Sequence, residues 1–390
     1  MLRGDFFVAS EIFLAIFWGA SAVIWLSSFG YMLILTMIVR SQHRSAQLPG
    51  TEPEIAVVVP TLNEEGLIKK KIEDVKRSEY PRDKINFMVV DGGSDDQTVE
   101  KVKEEISRGE KIRLICLSTT QKKADQINHV LENLGEDIIV FSDVDSEMEP
   151  SCIRELVAEL AADPKTAIVG ATIKPQTCLL VERIHWWFLN YLWWLEGESF
   201  FCAGISGVCF AVNRRALLSI GKRSRADDIH LGLAAGALGF RVRLSRRALA
   251  TETRVPQTVK EFLQYRRRRG SCYAYEILRF PCRSKAPFRW RLARFFRLWQ
   301  FLITPMMAAA AILSSLLLLA SRHWLNVILA IAAFLTPAIL KVFAFAGQEG
   351  KPRRLLLSLA TVRFLILFLA SLFAMQIPFP GQGALGGKRI

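Results

Sequence analysis

The sequence predicts an open α/β domain joined to an α-helical membrane domain, and three observations predict it. Apolar residues make up 51% of the 390 positions and are gathered into long runs, which is too much for an ordinary soluble domain. Between the runs, short β-branched stretches alternate with charged stretches of helical period. Several of these short stretches end in a carboxylate or a Gly-rich turn, where open α/β sheets bind ligands.

The first apolar run, Ile12 to Val39, contains no charged residue and is long enough to cross a hydrocarbon core of ~30 Å. It is too long for a signal-peptide core and reads as an anchor. Arg40, His43 and Arg44 follow it, so the positive-inside rule puts the next segment in the cytoplasm. Residues 45–54, with Pro49, Gly50 and Pro53, read as a linker. Strands are expected at Ile55–Pro60, Asn86–Val90, Arg113–Leu117, Ile138–Phe141, Ala167–Ile173 and Val208–Val212. Helices are expected at Leu67–Ser78, Thr98–Ser107 and Ala124–Leu134. Further spans are expected at about Trp299–Leu319, Trp324–Ala346 and Leu355–Met375. Lys351, Arg353 and Arg354 between the last two agree with the cytoplasmic orientation, and Arg363 is an intramembrane charge. Trp and Arg at helical spacing in Ile184–Leu195 and Phe288–Phe301 predict helices lying in the membrane interface; the bland counterpart is a domain core with a basic outer face. The expected division is an anchor over 8–40, a cytoplasmic domain over 54–275, and an interface helix with three spans over 284–377.

The net charge of +14 suits anionic lipid and anionic substrates. Nucleic acid is the rival reading of that charge, and the membrane runs disfavour it. Seven scattered cysteines (Cys116, Cys152, Cys178, Cys202, Cys209, Cys272 and Cys282) include no CxxC pair and no zinc spacing, so they read as free thiols in a reducing compartment.

Five clusters carry candidate chemistry. In Val57–Glu65 a strand ends at Pro60, and Asn63 and Glu64 are placed to bond a base edge; helix capping by Asn63 is the simpler account. In Val89–Asp96, Asp91 precedes two glycines that let a ligand approach closely, or that merely make a turn. In Phe141–Asp145, Asp143 and Asp145 stand two apart on an extended stretch and face one side. Two convergent carboxylates favour a cation between them, and hard oxygen ligands suit Mg²⁺ or Mn²⁺ bridging a diphosphate. Asp227 and Asp228 open a helix; Asp228 is a candidate general base, or an acidic first-turn residue favoured by the helix dipole. In Gln264–Gly270, Gln264 shares a helix face with Arg267 or Arg268, which would stabilise a leaving diphosphate; the other arginines would meet lipid headgroups.

These five clusters, in this order, resemble the cytoplasmic catalytic domain of glycosyltransferase family 2, in the style of cellulose synthase, hyaluronan synthase, poly-N-acetylglucosamine synthases and ceramide glucosyltransferase. The resemblance covers about Glu54 to Gly270. It implies the α/β fold called GT-A, a nucleotide-sugar domain with a mixed, mainly parallel sheet. It implies that Pro60, Asn63, Glu64 and Asp91 line a uridine pocket. Gln121–Asn128 is similar to a donor loop of the family, which points to Lys123 and Asn128. Asp143 and Asp145 match the Asp-x-Asp metal site, with Asp143 also beside the donor. Phe200–Gly204 looks like an acceptor-side loop, which implicates Phe201, Cys202 and Gly204 together with Asp227 and Arg268. Asp228 matches the base of Thr-Glu-Asp, and Gln264 and Arg267 match Gln-x-x-Arg-Trp. The Trp of that motif is Arg268 here, which weakens the case for a long polymer, and Thr-Glu has become Ala226-Asp227, which keeps the base but loosens the match; with only four spans expected, single-sugar transfer to a lipid stands as an option beside polymer synthesis.

The implied activity is inverting, metal-dependent transfer from a UDP-sugar donor to a lipid or growing glycan, with Mg²⁺ or Mn²⁺ as cofactor, membrane lipids as partners and no nucleic acid. A polyprenyl-phosphate sugar transferase and a non-catalytic nucleotide-binding transporter or scaffold are the alternatives. Neither gives Asp228 a task.

Overall fold

The computed structural model describes residues 2–40, 52–117, 122–199, 204–216, 218–281, 286–320 and 324–348. Phe201, Cys202, the apolar run 355–375 and Arg363 lie outside the described residues.

The chain begins with α1 (Leu2–Trp25), a π-helical turn (Leu26–Gly30) and α2 (Tyr31–Arg40). The α/β unit follows as β1 (Ile55–Thr61), α3 (Ile68–Lys76), β2 (Ile85–Asp91), α4 (Thr98–Ser107), β3 (Ile112–Cys116), α5 (Lys123–Asn133) and β4 (Ile138–Ser142). Next come β5 (Ser146–Met148), α6 (Cys152–Ala161), β6 (Thr166–Pro175), α7 (Leu180–Ser199), β7 (Cys209–Asn213), α8 (Asp227–Ala237), β8 (Arg241–Glu252) and α9 (Val259–Arg279). The chain continues through α10 (Phe288–Leu298), a second π turn (Trp299–Ile303), α11 (Thr304–Ala320) and α12 (Trp324–Gln348).

Eight strands form one mixed sheet in the order β3-β2-β1-β4-β7-β6-β8-β5. The β3-β2-β1-β4 half is parallel, and β7 turns the direction against both β4 and β6. Every residue of β1 is buried, as are the last five of β2 and all of β4, the pattern of strands covered by helices on both faces. β1 lies between β2 and β4, so the strand order reverses there and the carboxyl ends of three strands open on one crevice.

Two strands are absent from the sequence expectation. In β8 the arginines at 241, 243, 246 and 247 interrupt the apolar signal. Val242, Leu244, Ala248 and Ala250 nevertheless point into the core at under 2% exposure. β5 has three residues and pairs with the end of β8, too short for a period to register.

α7 corrects the interface-helix expectation. Trp186 and Trp193 are buried against the sheet, while Trp187 meets Phe345 of α12 and Leu192 and Leu195 pack with Tyr31 and Leu35 of α2. The helix is therefore a joint between the sheet and the apolar helices. Glu196 on it, fully buried, accepts from Tyr31 Oη at 2.7 Å and from Arg297 of α10 at 2.5 Å. One residue on, a Cβ at Gly197 would stand 2.9 Å from Arg243 Cα and 3.1 Å from Val242 O. Those are backbone atoms of β8 that cannot step aside. Gly197→Ala is expected to destabilise the protein by about 2–3 kcal/mol through overpacking, visible as a lower melting temperature in detergent; an unchanged melting temperature would refute the tight contact.

The second interface expectation also changes. α10, the π turn and α11 form one helix that is long and apolar enough to cross a membrane over Phe288–Leu318, the only such helix among the described residues. Arg297 pairs with Glu196, and Arg294 donates to the Ile277 and Phe280 carbonyls; Arg289 and Arg291 remain exposed. Shorter apolar stretches lie at Glu11–Trp25 and Ala338–Gly347. The two π turns meet: Thr304 Oγ1 donates to Ser27 Oγ at 2.9 Å and Gln300 Nε2 to Ser27 O at 3.2 Å.

Candidate active site

The turn after β4 carries Asp143 and Asp145, α5 begins with Lys123, and α8 begins with Asp227 and Asp228. Lys123 Nζ lies 2.5 Å from Asp143 Oδ1 and 3.6 Å from Asp227 Oδ2, and donates to the Gly207 carbonyl at 2.9 Å. Gly207 N in turn donates to Asp228 Oδ2 at 2.9 Å, and Ile229 N to Oδ1 at 2.8 Å. Acids from two distant segments thus share one ammonium group. A Cβ at Gly207 would sit 3.2 Å from Lys123 Nζ and 3.3 Å from Asp228 Oδ2, so a larger residue there would press on both side chains.

The electrostatics follow from crowding. Burial raises the Asp228 carboxyl and Asp227 raises it further; Lys123 and Arg269 pull it down, leaving it at about 6. Burial raises Asp143; Lys123 opposes this, and Asp145 and Asp227 add to it, giving about 7. For Lys123 burial works against the charge, but Asp143, Asp227 and Asp228 outweigh it and hold the ammonium above its ordinary range.

On the other side of the turn, Thr253 fixes Asp145 O through its N–H at 3.0 Å and its hydroxyl at 2.7 Å. Arg254 grips both oxygens of Glu64 and stands 3.8 Å from Asp145 Oδ2. At the end of β8, Glu252 accepts from Tyr265 Oη at 3.0 Å and from Arg269 at 2.6 Å. Desolvation opposes the charge of Arg269 although 43% of its side chain is exposed; Glu252, Tyr265 and Asp228 more than offset this and raise its pKa.

Several expected donor residues are engaged with the protein itself. The two oxygens of Asp91 accept from Gly93 N, Ser94 N, Ser94 Oγ and Thr61 Oγ1, so this carboxylate shapes its own turn. Asn63, at φ 56°, accepts from Asp95 N through its side chain and donates its N–H to Ser94 Oγ; an asparagine tolerates that left-handed backbone. Asn128 is bound at both ends to the Ile220 backbone, at 2.7 and 2.8 Å. Pro60 is buried within β1, and Gly204 is buried against Ile229, Tyr273 and Trp193. In α9, Tyr265 and Arg266 are buried, whereas Gln264 and Arg268 are exposed and Arg267 is half-buried. Among the described residues no side-chain hydrogen bond joins Gln264 to the acids. Arg254, Glu252 and Arg269 are the members of the site that sequence reasoning missed.

Two family models match the chain: "Glycosyl transferase family 2" over residues 56–217 and "Glycosyl transferase family group 2" over residues 138–346. The chain belongs to glycosyltransferase family 2.

The chain is 26% identical over 258 residues to the "Probable glycosyltransferase YdaM" of Bacillus subtilis, covering 63% of this chain and 59% of that protein. It is 24% identical over 247 residues to the "Probable glucomannan 4-beta-mannosyltransferase 10" of Arabidopsis thaliana, covering 59% and 44% of the two chains. It therefore spans about half the length of these curated relatives. Among solved structures, a mannosyltransferase from Pyrobaculum calidifontis, determined with GDP-Man and Mn²⁺, superposes with a TM-score of 0.73 at 22% identity, covering 93% of this chain and 97% of that one. That likeness establishes the GT-A-like fold.

Proposed function

We propose that this glycosyltransferase is a membrane-anchored, inverting, metal-dependent enzyme that moves one sugar from a UDP-sugar to a hydroxyl of a lipid or growing glycan. The observation that carries the reading is the Asp228 carboxylate. It is oriented by two backbone N–H groups, held at about 6, and linked through Lys123 to Asp143. A base near this value is ionised at neutral pH and strong enough to take a proton.

In the proposed step Asp228 accepts the proton of the acceptor hydroxyl. The acceptor oxygen attacks the anomeric carbon, the bond to the diphosphate oxygen breaks, and the nucleoside diphosphate leaves with the electron pair. Lys123 and Arg269 face the developing negative charge. Attack in one displacement inverts the anomeric carbon.

A divalent cation fits the acidic turn. Asp227 Oδ2, at the start of α8 and across Lys123 from Asp143, is buried without a hydrogen-bond partner, and the donors are hard oxygens. Two carboxylates with the remaining positions left to phosphate and water suit Mg²⁺ or Mn²⁺. Asp143 and Asp145 would hold the ion, which neutralises diphosphate charge when bound.

The proposed division is an anchor over 8–40, the transferase domain over 54–275, and a helix with three spans over 284–377. Membrane insertion is supported by the apolar helix Phe288–Leu318. Purified protein incubated with radiolabelled UDP- and GDP-sugars, Mg²⁺ or Mn²⁺, and lipid extract is expected to transfer label from a UDP-sugar into lipid-soluble or polymeric product. Transfer from GDP-sugars alone would reject the donor assignment. Transfer undiminished in EDTA would reject the metal.

A further inference from the structure

Beneath the Asp143–Asp145 turn lies a lysine that takes no part in the chemistry above. Lys71 in α3 is fully buried, with 0% of its side chain exposed. Its ammonium makes three hydrogen bonds: to Asp74 Oδ2 at 2.9 Å, to Ser146 O at 3.0 Å and to Ser146 Oγ at 3.1 Å. An ammonium has three N–H donors, and all three are used. Asp74, 1% exposed, accepts from Met148 N at 3.1 Å through both oxygens. Ser146 Oγ passes the constraint on, donating to Asp143 O at 2.8 Å and lying 3.1 Å from Ser142 Oγ.

The turn is therefore gripped at both ends. Lys71 and Asp74 hold its exit, residues 146–148, and Ser146 ties that exit to the carbonyl of Asp143 at its entrance. The elements gripped are a three-residue strand and a tight turn, which β8 and Thr253 hold from the other side, so that Lys71 and Asp74 complete the grip from the α3 side. Burying an ion pair of this kind contributes little net stability, since desolvation cancels most of the attraction, and apolar pairs of similar volume commonly serve stability as well. What the pair supplies is direction: four directed hydrogen bonds where an apolar contact would allow the turn to slide. Asp74 also accepts from Arg77 at 3.1 Å, so the carboxylate is shared between a buried lysine and a more exposed arginine.

We propose that Lys71, Asp74 and Ser146 are positioning residues that hold Asp143 and Asp145 at the separation a divalent cation requires. The inference rests on the metal reading given above. It makes a distinctive demand: loosening the grip should harm cation-dependent binding while leaving the fold intact.

The test uses the full-length protein in detergent, with UDP as the probe and its affinity measured with Mn²⁺ and with EDTA. Two variants are compared with wild type: Ser146→Ala, which removes one hydroxyl, and the double replacement Lys71→Met with Asp74→Leu, which keeps the volume apolar. Ser146→Ala is expected to melt near the wild-type temperature and the double variant somewhat lower, since Met148 N and Arg77 lose the Asp74 carboxylate; both are expected to bind UDP in EDTA as wild type does. The Mn²⁺ concentration giving half-maximal UDP binding is expected to rise roughly tenfold, as for loss of an outer-shell partner of a metal ligand. Folded variants whose Mn²⁺ requirement stays within a factor of two would overturn the proposal. So would misfolding of both variants, because the role would then be structural. If wild type itself shows no effect of Mn²⁺ on UDP binding, the metal reading is what fails, and the positioning role falls with it.

Discussion

Asp228→Asn is expected to lower kcat by about three orders of magnitude, within the range for loss of a positioned base, and to leave donor binding within a few-fold of wild type. The amide keeps the size of the side chain and keeps an oxygen to accept from Gly207 or Ile229, but it cannot take a proton. The pH profile supplies a second readout. Asp228 must be ionised to act, and its carboxyl is held at about 6. Wild-type kcat/KM is therefore expected to rise with pH through about 6, where it reaches half of its plateau. In Asp228→Asn that limb should vanish from the residual rate.

Stability should move in the opposite direction. A carboxyl raised from its ordinary 3.8 binds its proton more tightly in the folded than in the unfolded chain. Its relative contribution to stability is full below about 4 and is lost as pH rises through 6. At pH 7.5 the neutral amide escapes that loss, and Asp228→Asn should melt a few degrees higher than wild type, a trade of stability for activity common at active sites. A variant that keeps a tenth of wild-type kcat would remove Asp228 from the role of base.

The second large effect is expected at Arg269. Arg269→Gln should cut kcat by about 10²-fold, the usual size for loss of one fixed charge or donor facing a developing anion, while Arg267→Gln should cost less than about threefold. The difference comes from helix geometry. α9 turns Tyr265 and Arg269, four residues apart, toward Glu252, and both donate to the same Glu252 oxygen. Asp228 is among the charges acting on Arg269. If the two variants show equal losses, or Arg267→Gln the larger, the motif position inferred from sequence is the functional one and the geometric argument is wrong.

This contrast shows where sequence reading stops. Four consecutive arginines offer no means of choosing among them, because the choice depends on helix phase, and phase is fixed by contacts with a strand that the sequence hid. β8 was hidden by its own arginines, whose charge breaks the alternation although Val242, Leu244, Ala248 and Ala250 fill the core. With β8 unrecognised, Glu252 and Arg254 at and just beyond its end had no place in the cleft. By contrast, the parallel half of the sheet was legible: β1, β2 and β4 are buried on both faces and read as unbroken apolar runs. Asp143, Asp145, Asp227 and Asp228 were legible for a related reason, each following such a run or opening a helix. Asp91, Asn63 and Asn128 belonged to recognisable clusters, but only the hydrogen bonds to Ser94, Asp95 and Ile220 show these side chains engaged in fixing loops.

The Glu196–Arg297–Tyr31 contact bears on how this enzyme can be dissected. Replacing Arg297 by Met in the full chain would keep Glu196 and lose its cation, leaving a carboxylate at 0% exposure with only a phenol beside it. Breaking a buried pair in that way costs about 3–5 kcal/mol, a large share of the margin a domain ordinarily possesses. The sheet and the apolar helices are thus one folding unit.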